Sequence, residues 1–195
     1  ARLTIHKINT IAGTATFNDK VLLKLNPFPG VMGVAPETAE MLSTIPPRAN
    51  GGNMDDPNLT EGTTVYFPVF VKGALFSIGD AHAIQGLGEV CGTAIETPMT
   101  ITYRLRVLKD KPAIKEPQYE NDEIYAVTGF GETIDIATKK AVNYMIDHLV
   151  DNYDITAEDA YMLCSLVGDL KIAEVVDVPN MLVTMHFPKK ILKQL

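Results

Sequence analysis

Asp80 and His82 stand two residues apart in the segment Gly79-Asp80-Ala81-His82-Ala83-Ile84-Gln85-Gly86-Leu87-Gly88-Glu89. An extended backbone aims side chains of that spacing at one face. Gly86 and Gly88 let the chain reverse, which can bring Glu89 back beside them. An Asp, a His and a Glu meeting in this way can hold a divalent metal, or can set the His as a general base with a carboxylate partner. The plainer reading is a turn whose Asp satisfies backbone amides next to an ordinary polar His. If 89–96 is one straight strand, Glu96 points away from Glu89, and both reach one site only through a bulge or a subunit contact.

A second group lies upstream, in Pro46-Pro47-Arg48-Ala49-Asn50-Gly51-Gly52-Asn53-Met54-Asp55. Asn-Gly-Gly-Asn supplies backbone freedom and free amides suited to a small polar ligand, and Asp55 adds a carboxylate for a metal or an amide N–H. A tight turn with side-chain capping is the alternative. Cys91 could serve as a thiol nucleophile, but it sits between Val90 and Gly92 in an expected strand, where a packed core cysteine is the stronger reading. His6, His148 and His186 read as structural. There is no Gly-x-Ser-x-Gly elbow, phosphate loop or dinucleotide glycine pattern.

The elements that must position these residues change character along the 195-residue chain. Residues 1–118 hold 10 of the 12 prolines, set between short apolar runs, which is the texture of irregular β structure. Strands are expected at 20–25, 63–72, 74–78, 89–96 and 100–108; in the last, Ile101, Tyr103, Leu105 and Val107 alternate with polar residues. The opening Ala1-Arg2-Leu3-Thr4-Ile5 is also strand-like. Residues 26–56, rich in Pro and Gly but poor in charge, read as a long ordered loop packed near a site. From Ile134 the apolar period becomes helical, and Thr156 caps a second helix that Gly168 ends. Strands at 171–176 and 181–187 follow. The expected fold class is mainly β, a sandwich- or barrel-like core, with a smaller C-terminal α/β part. Two domains are expected: 1–118, β-rich and carrying the site, and 119–195, an α+β unit with two helices and terminal strands.

With 46% hydrophobic and 21% charged residues, the chain can bury a sizeable core. A net charge of -7 with scattered basic residues argues against nucleic acid. No apolar run is long enough for a membrane helix, and Cys91 and Cys164 read as buried free thiols in a reducing compartment. A cytoplasmic location is expected.

Four stretches, in order, resemble the acetamidase/formamidase family: Pro27-Phe28-Pro29-Gly30-Val31-Met32-Gly33-Val34-Ala35-Pro36, then Asn50 to Asp55, then Gly79 to Glu96, and Ala157-Glu158-Asp159-Ala160-Tyr161-Met162-Leu163 with Asp169 and Pro188. The resemblance implies a β-rich fold and hydrolysis of formamide, acetamide and similar short amides to ammonia and the carboxylate. It implies that the chain corresponds to the family's C-terminal two thirds. On this basis Glu89 and His82 are the candidate catalytic residues, Asn53 and Asp55 the substrate-binding ones, and Asp80, His82 and Glu96 the metal ligands. The metal would be divalent, zinc for the imidazole or calcium for the oxygens. A small amide is the expected substrate, and a homo-oligomer or a separate N-terminal segment of the same protein the expected partner. The family motif has Asp where Leu87 stands, which favours one alternative, a small-ligand or metal-binding relic; a second alternative is a hydrolase of a larger or cyclic amide.

Overall fold

The computed structural model describes residues 2–109 and 111–195. The first strands are β1 (Lys7–Asn9), β2 (Thr14–Phe17) and β3 (Val21–Lys24), followed by β4 (Phe28–Gly33), β5 (Gly51–Asn53), β6 (Thr64–Tyr66) and β7 (Ser77–His82). After them come β8 (Gln118–Glu120), β9 (Ile124–Gly131), α1 (Ile134–Asn152) and α2 (Ala157–Val167). The chain closes with β10 (Asp169–Glu174), β11 (Met181–Pro188) and the short α3 (Lys189–Leu192). The strands form three antiparallel sheets, β1-β2-β3, β5-β4-β7 and β10-β11-β9-β8-β6. The fold is mainly β with its helices in the C-terminal part. Because β6 pairs with β8, one sheet spans both the 1–118 and the 119–195 portions.

The inner strands β9 and β11 of the five-stranded sheet are buried on both faces. The helical period in 134–152 places Ala137, Ala141, Met145 and Leu149 on one stripe, which packs on Val127, Val183, Met185 and Phe187. Each fully buried Met, Leu or Phe there contributes about 1.5–3 kcal/mol. The helix lies so close that a Cβ on Gly129 of β9 would meet Ala137 O at 2.3 Å. Thr133 and Thr156 start the two long helices by accepting from Ile136 N and Asp159 N. On the opposite face Tyr119, Ala126, Phe130 and Leu182 meet Met32, Met54 and Leu59. That contact seats the β5-β4-β7 sheet, which carries the chemistry.

Several expectations need correction. The 26–56 stretch is not an irregular loop: β4 is the central strand of its sheet, and β5 flanks it. Its prolines and glycines masked the signal, although burial on nearly every residue of β4 leaves no alternation to read. Residues 89–96 form turns, not a strand, so Cys91 is exposed and not a core thiol; Cys164 is buried on α2. The 63–72 strand shrinks to β6. Residues 100–108 have the alternation of a strand but pair with nothing among the described residues, and Tyr103, Leu105 and Val107 are exposed. Alternation proposes a strand; only a partner's N–H and C=O groups make one. Likewise residues 2–6 stay outside any strand, while Ala1 lies outside the described residues.

Candidate active site

The site forms where β7 ends beside β4. His82 pairs with Phe28 across the sheet and its ring meets the Phe28 ring edge-on, with centroids 5.1 Å apart. The ring is 1% exposed, so both nitrogens must find partners inside the protein or in a ligand. Nδ1 faces Asp55 Oδ1 at 3.7 Å; Nε2 faces Asp80 Oδ2 at 3.5 Å and Glu96 Oε2 at 3.1 Å. Asp55 and Glu89 are buried, whereas Asp80 and Glu96 form an exposed rim. Two groupings result, each able to hold an ion among ligand atoms within 4.8 Å of one another: Asp55, His82 and Glu89 inside, and Asp80, His82 and Glu96 outside.

The local backbone explains how these residues meet. Asp55, Asp80 and Glu89 all adopt positive φ, at 41°, 54° and 45°. Non-glycine residues rarely hold that conformation, and clusters of it mark functional sites. At Glu89 it follows Gly88, also left-handed, in a tight reversal closed by Gly92 N donating to Glu89 O at 2.7 Å. The reversal removes the parity argument against Glu96. Glu96 is bridged to His82, and its Oε1 accepts from Ala94 N at 3.0 Å. Gly30 of β4 runs directly beneath: a Cβ there would lie 2.3 Å from Asp55 Oδ1 and 2.7 Å from His82 Cε1. Only glycine leaves that room.

All six sequence-proposed residues therefore gather, with Asn53 at the edge. The Asn53 amide donates to Asp177 Oδ2 at 2.6 Å. Asp177 and Glu174 were not expected from sequence. Glu174, fully buried, accepts from Asp177 N at 2.6 Å and from Val176 N, while its Oε2 has no partner. Gly88 N donates to Ala173 O at 2.8 Å, docking the 86–89 turn on the end of β10. The one available signal was a charged residue inside the apolar run Ile172-Ala173-Glu174-Val175-Val176. Gln85, quoted only as part of the motif, donates to Asp55 O at 2.5 Å.

Charge is what distinguishes this place. Burial first, then Glu89, Asp177 and Asp80, pushes the Asp55 carboxyl up to about 8. Burial and the surrounding acids push Glu89 up to about 7, and burial does the same for Glu174. Among the described residues no Lys or Arg lies within 4.0 Å of any of these carboxylates. Asp55 Oδ1 and His82 Nδ1 are buried without a hydrogen-bond partner. Crowded acids without a counter-charge, and an orphaned imidazole nitrogen facing an orphaned carboxylate oxygen, fit a bound cation. A concavity of ≈ 480 Å³ lies elsewhere, lined by Arg48, Glu116 and Lys140 among others.

Comparison with known proteins points to one family. A model of the acetamidase/formamidase family matches residues 37–194. A formamidase of Methylophilus methylotrophus is 33% identical over 175 residues, covering 78% of this chain and 42% of that one. The crystal structure of a predicted acetamidase/formamidase from Thermoanaerobacter tengcongensis superposes with a TM-score of 0.84 at 34% identity, covering 93% of this chain and 60% of that one. An acetamidase from Yersinia enterocolitica also gives 0.84, at 30% identity, over 96% and 55% of the two chains. The chain thus spans about half the length of the relatives it matches.

Proposed function

Because the chain belongs to the acetamidase/formamidase family, we propose that it hydrolyses short aliphatic amides to ammonia and the carboxylate at the His82 cluster. The observation that carries the reading is the gathering of buried Asp55 and Glu89 on the His82 imidazole, with Asp177 and Glu174 crowding those two carboxylates. An amide carbonyl is a poor electrophile and its nitrogen a poor leaving group, so water, carbonyl and nitrogen each need help.

Asp55 and His82 Nδ1 would hold a divalent ion, zinc or calcium, because Asp55 Oδ1 and His82 Nδ1 are both buried without a hydrogen-bond partner and face each other at 3.7 Å. When bound, such an ion supplies Lewis acidity at the carbonyl oxygen. Asp80, His82 and Glu96 form the alternative, outer ligand set; metal content of Asp55→Asn and Asp80→Asn separates the two. With Nδ1 turned inward, Nε2 carries the ring proton toward Glu96 and Asp80, which fixes the imidazole. Glu89, poised near neutrality, takes a proton from the attacking water and delivers it to the departing nitrogen. Asn53 has committed its NH2 group to Asp177, so its Oδ1 is free to accept an amide N–H. Leu87 is exposed, outside the set of buried acids.

Ammonia release from formamide and acetamide tests the reading. Activity should disappear on chelation and return with zinc or calcium. No release from either amide with either ion, by folded protein, would sink it. No helix among the described residues is long and apolar enough to cross a membrane, and a cytoplasmic location agrees with the free thiols of Cys91 and Cys164. The exposed Leu3, Ile5, Leu22, Leu105 and Val107 support a homo-oligomer or a separate segment of the same protein as cover, which the solution mass would reveal.

A further inference from the structure

Asp55 must be held at positive φ, and its flanks are tied from both sides. Upstream, Met54 N and Asp55 N both donate to Gly30 O at 3.1 Å. Downstream, Asp56 is fully buried and both its oxygens are engaged. Oδ1 accepts from Asn58 N at 3.0 Å and from the Asn58 side chain at 2.5 Å. Oδ2 accepts from the Tyr119 hydroxyl at 2.7 Å. Tyr119 O lies 2.8 Å from His186 Nε2, and Thr184 Oγ1 lies 3.1 Å from the same nitrogen. Burial keeps His186 neutral, with its pKa pushed down to about 3. With its proton on Nε2 the ring donates to Tyr119 O, leaving the Tyr119 proton for Asp56.

The sheet builds this line. Tyr119 of β8 and His186 of β11 are not neighbours in strand order; β9 runs between them. Both register on the same β9 residue, Ala126. Its methyl group is small enough for the two rings to meet over it, edge to face, with centroids 5.7 Å apart. The row therefore couples the rigid sheet to the peptide that follows Asp55.

We infer that Asp56, Tyr119 and His186 form a buried strut that positions Asp55 against His82 for the reaction. It rests on the amide-hydrolase reading above. None of the three touches the reacting groups, so they act through Asp55 as positioning residues.

Tyr119→Phe keeps the ring and removes the hydroxyl. With zinc-loaded protein, kcat for formamide should fall about tenfold while KM moves less than about twofold. The 15N resonances of the His82 imidazole should shift as well, reporting the Asp55–His82 approach without turnover. Asp56→Asn turns an NH2 group against either the Tyr119 hydroxyl or the Asn58 donors and should lose part of kcat, and Asp56→Leu should reproduce the full loss. Should Tyr119→Phe fail to fold, Ala126→Val, which wedges the two rings apart without removing a polar group, carries the same readouts. A lowered melting temperature with unchanged kcat and unchanged His82 resonances would overturn the strut. If wild-type protein releases no ammonia, it is the amide-hydrolase reading that fails, and the His82 resonances alone then decide the strut.

Discussion

The two faces of the five-stranded sheet are built by opposite rules. Toward α1, the side chains of Ala137, Ala141, Met145, Leu149, Val183, Met185 and Phe187 offer only carbon and sulfur, in relaxed helix and strand conformations. Toward the β5-β4-β7 sheet, apolar contacts at Met32, Met54 and Leu59 soon give way to buried acids, left-handed carboxylate residues and orphaned polar atoms. Burial disfavours charge on both sides, with a sign set by the group: it pushes the acids Asp55 and Glu89 up, and the bases His148, on α1, and His186, on the site's face, down. One face supplies stability, and the other uses it to hold an arrangement that would relax if left alone.

The contrast breaks most visibly at His82. His82→Ala should lower ammonia release by about 10²–10⁴-fold while the unfolding transition stays cooperative; an unaltered rate would end the assignment. Met145→Ala on the other face should do the reverse. It should cost about 2–5 kcal/mol in urea unfolding and leave turnover per folded molecule unchanged. A loss of turnover equal to that of His82→Ala would show that the faces are not separable in this way.

The third test uses pH. His148 stacks on Tyr125 at 3.8 Å, and burial holds its pKa near 4, below the ordinary 6.5. Between those values the unfolded chain binds a proton that the folded chain refuses. Its contribution is therefore complete above pH 6.5 and is lost as pH falls toward 4. Unfolding of wild type and His148→Gln at pH 7 and pH 5 should show about 1–2 kcal/mol less acid loss in the variant, after allowance for partial exposure. The smallest effect belongs to the cap of α2: Thr156→Ala removes the acceptor for Asp159 N and should cost about 1 kcal/mol without touching the site.

Legibility followed the same division. The helix-backed face was readable because its signals are local: a 3.6-residue apolar period, Thr156 before Glu158 and Asp159, and Gly168 at the stop. The site was half readable. Asp80, His82 and Glu89 lie within ten residues, and Gly86 and Gly88 announce the reversal that joins them. Glu174 and Asp177 reach the same place from more than 80 residues away, through the docking of Gly88 on β10. The strand pattern at 100–108 misled because alternation says which side chains share a face, not whether another strand is there to pair.

By itself the sequence determined the residue types of the chemistry, the two long helices with their starts, and the order of motifs that mark the family. Those depend on spacing and on backbone preferences of single residues, which neighbours in sequence carry. Only the tertiary structure decided that β4 is a central strand, that Cys91 faces out, that Glu96 joins His82, and that Tyr119 and His186 meet over Ala126. Each of these depends on which strands become neighbours, and that choice is made by burial summed over the whole molecule.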